Sequence, residues 1–278
     1  MNKTLSLAIC LLSAASATAQ VVSVDSTREI ALSHHIQKIS LAPTGDFLLL
    51  SDYDNKGLSL LSLSDMREEV ITDAAGAGWG TTVEPNGDIL YRTVSYTPTR
   101  QVGLSRYSIK SKTSQVVVAE QRQAVQPVQA ETGDKVVTNQ DFQLELTRNG
   151  KTTLLSPFGT AQRYIWPSIS PDGRHLLFFV SGDQTYISDI NGQNPKPMGI
   201  LRAAKWLNDT IIVGQRDEDD GEQTTASRII VRNTLDGTEQ QLSADDQIAM
   251  FPSVTSKGDR ILYSTPEGRA FLLYVHTK

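Results

Sequence analysis

The chain has 278 residues, and 26 Lys and Arg set against 31 Asp and Glu give a formal net charge of −5. An acidic balance with no basic stripe excludes nucleic acid and anionic membrane surfaces as partners. No apolar stretch after Ala19 approaches the ~20 residues that a spanning helix needs, so no transmembrane segment is expected there.

The first element is a targeting segment. Lys3 precedes an apolar run from Leu5 to Ala15, followed by Ala17-Thr18-Ala19 and Gln20. That order reads as a secretory signal peptide over residues 1–19, with cleavage between Ala19 and Gln20. Residues 20–278 then form a single domain that is periplasmic or secreted. Cys10 is the only cysteine, so the mature domain carries no disulfide. Lipidation at Cys10 is disfavoured by Ile9, which stands where a small residue is wanted.

A turn then recurs along the chain: Pro43-Thr44-Gly45-Asp46, Pro85-Asn86-Gly87-Asp88, Glu131-Thr132-Gly133-Asp134, Pro171-Asp172-Gly173-Arg174 and Ser256-Lys257-Gly258-Asp259. The glycines are 42, 46, 40 and 85 residues apart, the last interval being two repeats with a weakened turn at Asn208-Asp209. A period of about 40 to 50 residues built on strand–turn–strand units is the signature of propeller blades. The reading is an all-β, six-bladed propeller of four-stranded blades.

The repeats follow in order. The first spans residues 36–72, the second 81–119, the third 125–155, the fourth 166–192 and beyond, and the fifth 201–242. The sixth has three strand-like segments and then the chain ends. An unassigned strand, residues 21–32, is left at the other end. A blade shared between the termini closes a ring and removes exposed edges, so the N-terminal strand is expected to complete the last blade.

The string Trp166-Pro167-Ser168-Ile169-Ser170-Pro171-Asp172-Gly173-Arg174, followed by Leu176-Leu177-Phe178 and Ser188-Asp189-Ile190-Asn191-Gly192, resembles the repeat of TolB-type β-propellers. Phe251-Pro252-Ser253 with Gly258-Asp259-Arg260 is a partial copy. The resemblance covers the propeller alone, without the N-terminal α/β domain that TolB itself carries. It implies a module that takes a peptide or protein at the mouth of its central channel. The same fold also carries hydrolases, lyases and lactonases, so fold alone does not choose.

Motifs for chemistry are sparse. There is no G-x-S-x-G elbow and no H-E-x-x-H. The four histidines are His34, His35, His175 and His276. Adjacent strand residues point to opposite faces, so His34 and His35 do not share one ion, and exposed loop histidines are the plainer reading. No metal, no cofactor and no catalytic residue is assigned. Gly76-Ala77-Gly78-Trp79-Gly80 lacks the following helix of a phosphate loop and reads as a flexible connection between blades. Asp217-Glu218-Asp219-Asp220-Gly221-Glu222 reads as a solvated hairpin tip, with cation binding left open.

Aligning the repeats on their turns gives two positions. Five residues before the glycine, or before Asp209, stand Ser40, Thr82, Val128, Ser168, Ala204 and Ser253, all small. Seven residues before it stand Lys38, Gly80, Gln126, Trp166, Arg202 and Phe251, which have nothing in common. Position-specific variety at the leading end of an inner strand points to a ligand site rather than to packing. The candidate binding residues are therefore Lys38, Gln126, Trp166, Arg202 and Phe251, with Trp79, Tyr164, Met250 and His35 nearby. Cations and aromatics around an opening suit an acidic or aromatic peptide side chain, or a sugar stacked on Trp166. Two functions stay open: a non-catalytic binding or scaffold module of the bacterial envelope, and a carbohydrate-active enzyme, a polysaccharide lyase or glycoside hydrolase, which needs two convergent acid–base groups. Asp52, Asp54, Glu84 and Asp141 are the carboxylates placed in or near blade segments.

Overall fold

The hairpin turns set the architecture. In the computed structural model, which describes residues 20–32, 36–122 and 134–277, Gly45, Gly87, Gly173 and Gly258 take φ between 67° and 90°. Glycine adopts that region without steric cost, so the turn recurs wherever the chain must reverse between an inner strand and the strand beside it.

Six antiparallel sheets result. Blade 1 holds Lys38–Leu41, Phe47–Ser51, Leu58–Ser62 and Glu68–Thr72; blade 2 holds Thr82–Val83, Ile89–Ser95, Gln101–Ser108 and Thr113–Gln121. Three described strands make up blade 3: Lys135–Thr138, Leu144–Arg148 and Lys151–Leu155. Blade 4 has Tyr164–Ile169, His175–Val180, Thr185–Asp189 and Lys196–Pro197, and blade 5 has Arg202–Trp206, Ile211–Asp219, Thr224–Asn233 and Glu239–Gln241. Met250–Val254, Arg260–Ser264 and Ala270–Thr277 form blade 6, and Val22–Ile30 is its outer strand. The expected signal peptide, the His34-His35 pair, Gln126, Val128 and the Gly133 turn all lie outside the described residues.

Closure runs as the repeat count requires. Val22–Ile30 pairs antiparallel with Ala270–Thr277, Val22 opposite Thr277 and Ile30 opposite Ala270. Both ends of the strand are anchored by burial, Val22 at 0% exposure and Ile30 at 3%. The N–H groups of Val21 and Val22 both donate to the Gln240 amide oxygen, at 2.8 and 2.9 Å, which ties the closing strand to blade 5 as well.

The core lies between blades, where the faces of neighbouring sheets meet. Ile211, Val213, Ile229 and Val231 of blade 5 pack against Ile261, Phe271 and Leu273 of blade 6. Ile39, Leu48 and Leu50 of blade 1 pack against Leu262 and Leu272. Second strands are covered on both faces and read as continuous apolar runs: all five residues of Phe47–Ser51 are buried. Among the described residues the one helical segment is the short turn Tyr53–Asn55.

Three local expectations change. In blades 1, 4 and 6 the closing hydrogen bonds run from Ala42 N–H to Phe47, from Ser170 to His175 and from Thr255 to Arg260, whereas in blade 2 Glu84 N–H reaches Asp88 and in blade 5 Leu207 N–H reaches Ile211. The Asn208 side chain, whose Oδ1 accepts from the Thr210 and Ile211 N–H groups, holds the blade 5 turn together without a glycine. Glycine stands three residues after the closing residue in blades 1, 2, 4 and 6, and that place in blade 5 is Thr210, so counting back from Asp209 misses by one residue. Register pairs Ser40 with Leu49, Ser168 with Leu177, Ser253 with Leu262, and Lys205, not Ala204, with Val213.

The acidic run is not all a solvated tip. Strand pairing continues through Asp217, Glu218 and Asp219, so only the far end is a loop. The third change concerns the glycine-rich connection, which joins blades 1 and 2 but is packed rather than flexible. Ala77 is fully buried, and a Cβ on Gly78 would sit 1.9 Å from Ser51 Oγ.

Candidate functional site

Because strands alternate in direction, the connections from second to third strands and from one blade to the next fall on one face. The inner strands begin at that face. Every exposed aromatic residue among the described residues lies there: Tyr53, Trp79, Tyr96, Phe142, Phe158, Trp166 and Phe251. Exposed aromatic rings gathered on one side make this face the candidate site.

Trp166 and Phe251 owe their position to the backbone. Each inner strand of blades 4, 5 and 6 carries a bulge, between Ile165 and Ser168, Arg202 and Lys205, and Met250 and Ser253. The extra residue at each bulge has φ near +50°: Trp166 at 54°, Ala203 at 50° and Phe251 at 54°. Left-handed backbone costs a bulky L-residue ~1–2 kcal/mol, and bulges re-aim side chains. Trp166 is 39% exposed and Phe251 50% exposed. Trp166 leans on Phe179, ring centroids 5.4 Å apart, so it is braced without being covered.

The remaining expected residues divide. Arg202 stands one residue before the bulge, and its guanidinium lies 3.3 Å from the Asp217 carboxylate, which is almost wholly buried. Asp217 also accepts from Ser227 Oγ at 2.6 Å and from the Gln215 amide at 3.0 Å. Gln215 in turn accepts from the Phe251 N–H at 2.5 Å. Arg202 thus belongs to a network that seats Phe251.

Lys38 donates to the Gly78 carbonyl at 2.6 Å, and burial, followed by the charges of Lys205 and Arg92, holds its ammonium below the usual lysine range. Tyr164, placed nearby by sequence, is fully buried and pins the loop before blade 4 through Phe158 N–H and the Gly159 carbonyl.

Sequence reasoning missed Arg92 and Lys205. The Arg92 guanidinium lies 4.4 Å from the Trp79 ring, and its Nε is buried with no acceptor. Lys205 occupies a level of the inner strand where blades 1, 4 and 6 have serine. Only a count that put the missing glycine of blade 5 at Thr210 rather than Asp209 would have exposed it.

A cavity of about 510 Å³ opens on the same face between blades 1 and 2, lined by Tyr53, Asp54, Trp79, Tyr96 and Arg100 among others. A larger one, about 710 Å³, lies on the opposite face among the hairpin turns. Its arginine, Arg260, is already bonded to the Gly45 carbonyl and lies over Tyr274. Among the described residues no three His, Cys, Asp or Glu side chains come together as a metal site, and no helix is long and apolar enough to cross a membrane.

No protein family and no curated protein matches the sequence. Solved structures do match. A putative TolB from Agrobacterium tumefaciens is similar at TM-score 0.54 and 17% identity, over 87% of this chain and 90% of that one. The β-propeller domain of Cps50 (Swd1) from Myceliophthora thermophila reaches TM-score 0.52 and 12% identity, over 92% of this chain and 100% of that one. An oligogalacturonate lyase in complex with manganese reaches 0.47 and 14%, over 88% and 78% of the two chains. The six antiparallel sheets of this chain and its likeness to the putative TolB together make it a propeller of the TolB type in fold.

Proposed function

We propose that this chain is an exported, non-catalytic binding module of the bacterial envelope that takes a peptide or protein segment at the channel mouth. One observation carries the reading: two exposed aromatic rings, Trp166 and Phe251, are held outward by strained backbone at matching bulges of blades 4 and 6. A fold keeps such strain where function requires it. Aromatic anchors beside a desolvated polar network are the usual composition of a recognition hot spot.

The test is capture from envelope extract by the wild-type domain and by a W166G/F251G variant, whose glycines retain the backbone and remove the rings. One partner retained by the wild type and lost by the variant supports the reading. Equal capture by both overturns it.

A carbohydrate-active propeller is the second reading, favoured by the Tyr53, Trp79 and Tyr96 cleft, since flat exposed rings suit sugar faces. Binding to a glycan array that is abolished by Y53A/Y96A, with protein capture unaffected, would favour it.

A further inference from the structure

Three cations converge on the channel side of this mouth. Lys205 sits at a level of the inner strand that the register makes equivalent to Ser40, Ser168 and Ser253. A serine suits that crowded level: Ser253 Oγ accepts from the Leu41 N–H at 3.0 Å and joins blades 6 and 1. Blade 5 alone among these four puts an ammonium there.

Lys205 has no hydrogen bond and no ion pair among the described residues. Lys38 spends one donor on the Gly78 carbonyl and has no carboxylate partner. Arg92 gives its face to Trp79 and leaves its buried Nε–H without an acceptor. The three come from blades 1, 2 and 5: Lys38 reaches the carbonyl of Gly78, whose neighbour Trp79 lies under Arg92, and Lys205 stands on an inner strand at the level of Ser40, two residues from Lys38. The charges of Lys205 and Arg92 both act on Lys38.

An acidic protein does not lack carboxylates with which to neutralise such a group. Arg106 and Arg216, for example, are paired to Glu84 and Glu239. Partly desolvated like charges left unpaired are costly, and an entering anion relieves that cost. Partial burial lowers the ammonium of Lys205 as well, in agreement with a half-buried cation that has no counter-charge beside it.

We propose that Lys38, Arg92 and Lys205 form a receptor for one carboxylate of the bound partner, at the base of the aromatic mouth. The proposal deepens the binding reading by naming the chemistry that the partner must present: an aspartate or glutamate side chain, or a chain-terminal carboxylate. A planar two-oxygen acceptor matches the free Nε edge of a guanidinium whose face is already occupied, and two flexible ammonium groups close on it as point charges.

The experiment uses the whole domain with lysine labelled at the ε-carbon, and NMR follows Lys38 and Lys205 during additions of N-acetylglutamate amide, N-acetylglycine and inorganic phosphate. A saturable shift of both resonances with a carboxylate, weakened at least tenfold in Lys205→Met as read on Lys38, supports the receptor. The stronger of the first two probes tells a side-chain carboxylate from a terminal one. No saturable shift in the wild type, or phosphate bound in preference to both carboxylates, overturns it. W166G/F251G separates the two readings, because carboxylate binding should survive there even if the aromatic mouth recognises nothing. Lys205→Met removes an unpaired, half-buried charge and should fold; should it not, Arg92→Met read on both lysines gives the same decision.

Discussion

The Gln215 side chain holds the backbone of Phe251, its amide oxygen accepting the Phe251 N–H at 2.5 Å while its amide nitrogen donates to Asp217. A residue of one blade therefore sets the conformation of a bulge in the next. Asp217→Ala would leave Gln215 and Ser227 without their shared acceptor and should cost ~2–3 kcal/mol in urea unfolding. Gln215→Ala should cost less, ~1 kcal/mol, but should loosen Phe251, seen as faster amide exchange at that residue. Equal protection of Phe251 in wild type and Gln215→Ala would refute the coupling.

Closure makes a second prediction. Removing residues 20–30 strips the outer strand from blade 6 and the two donors to Gln240. The expected outcome is loss of the single cooperative thermal transition, with the melting temperature lowered for the whole domain. A transition unchanged in midpoint and amplitude would show that the ring closes without that strand.

Sterics at Gly78 make a third. An alanine there would place its Cβ 1.9 Å from Ser51 Oγ and 2.3 Å from Ser51 Cβ. Gly78→Ala should destabilise by ~2 kcal/mol or more in chemical denaturation. Adding Ser51→Gly should restore part of the loss, because it removes both clashing atoms. Failure of that rescue would point to a different origin.

Alkaline pH makes a fourth. The Tyr107 phenol is pushed up to about 12, first by burial and then by its hydrogen bond to Glu69, which Lys112 also contacts at 2.5 Å. A folded value above the unfolded one, ~10, means that the neutral phenol adds stability in full below pH ~10 and loses it as pH rises towards 12. Denaturation of wild type and Tyr107→Phe should therefore converge across that window, by up to ~2 kcal/mol relative to their difference at neutral pH. Parallel profiles would argue against the shift.

The fold was legible because four of the inner-strand reversals take φ > 0, and glycine at Gly45, Gly87, Gly173 and Gly258 writes that need into the sequence at a recurring interval. Closure followed from counting strands. The site was harder to read for the same reason. Where blade 5 satisfies its turn with Asn208 instead of glycine, the count slips by one, and Ala204 stands in for Lys205. The bulges also escape a spacing argument: Trp166 and Phe251 share a position with Ala203, not with Arg202. Asp217 was hidden because a run of acids reads as solvated, and only hairpin length decides which of them reach the interior.

The pairing of Val22–Ile30 with Ala270–Thr277 also orders events in time. During synthesis the first strand emerges with no partner and waits until the last strand follows it. Five sheets can assemble from neighbouring sequence, but the sixth joins segments about as far apart as the chain allows, so its loop entropy is met last. Until then the nascent domain is an open arc with an uncovered sheet face at each end and the Ala270–Thr277 edge unpaired, the form in which it is most exposed to pairing with a second copy.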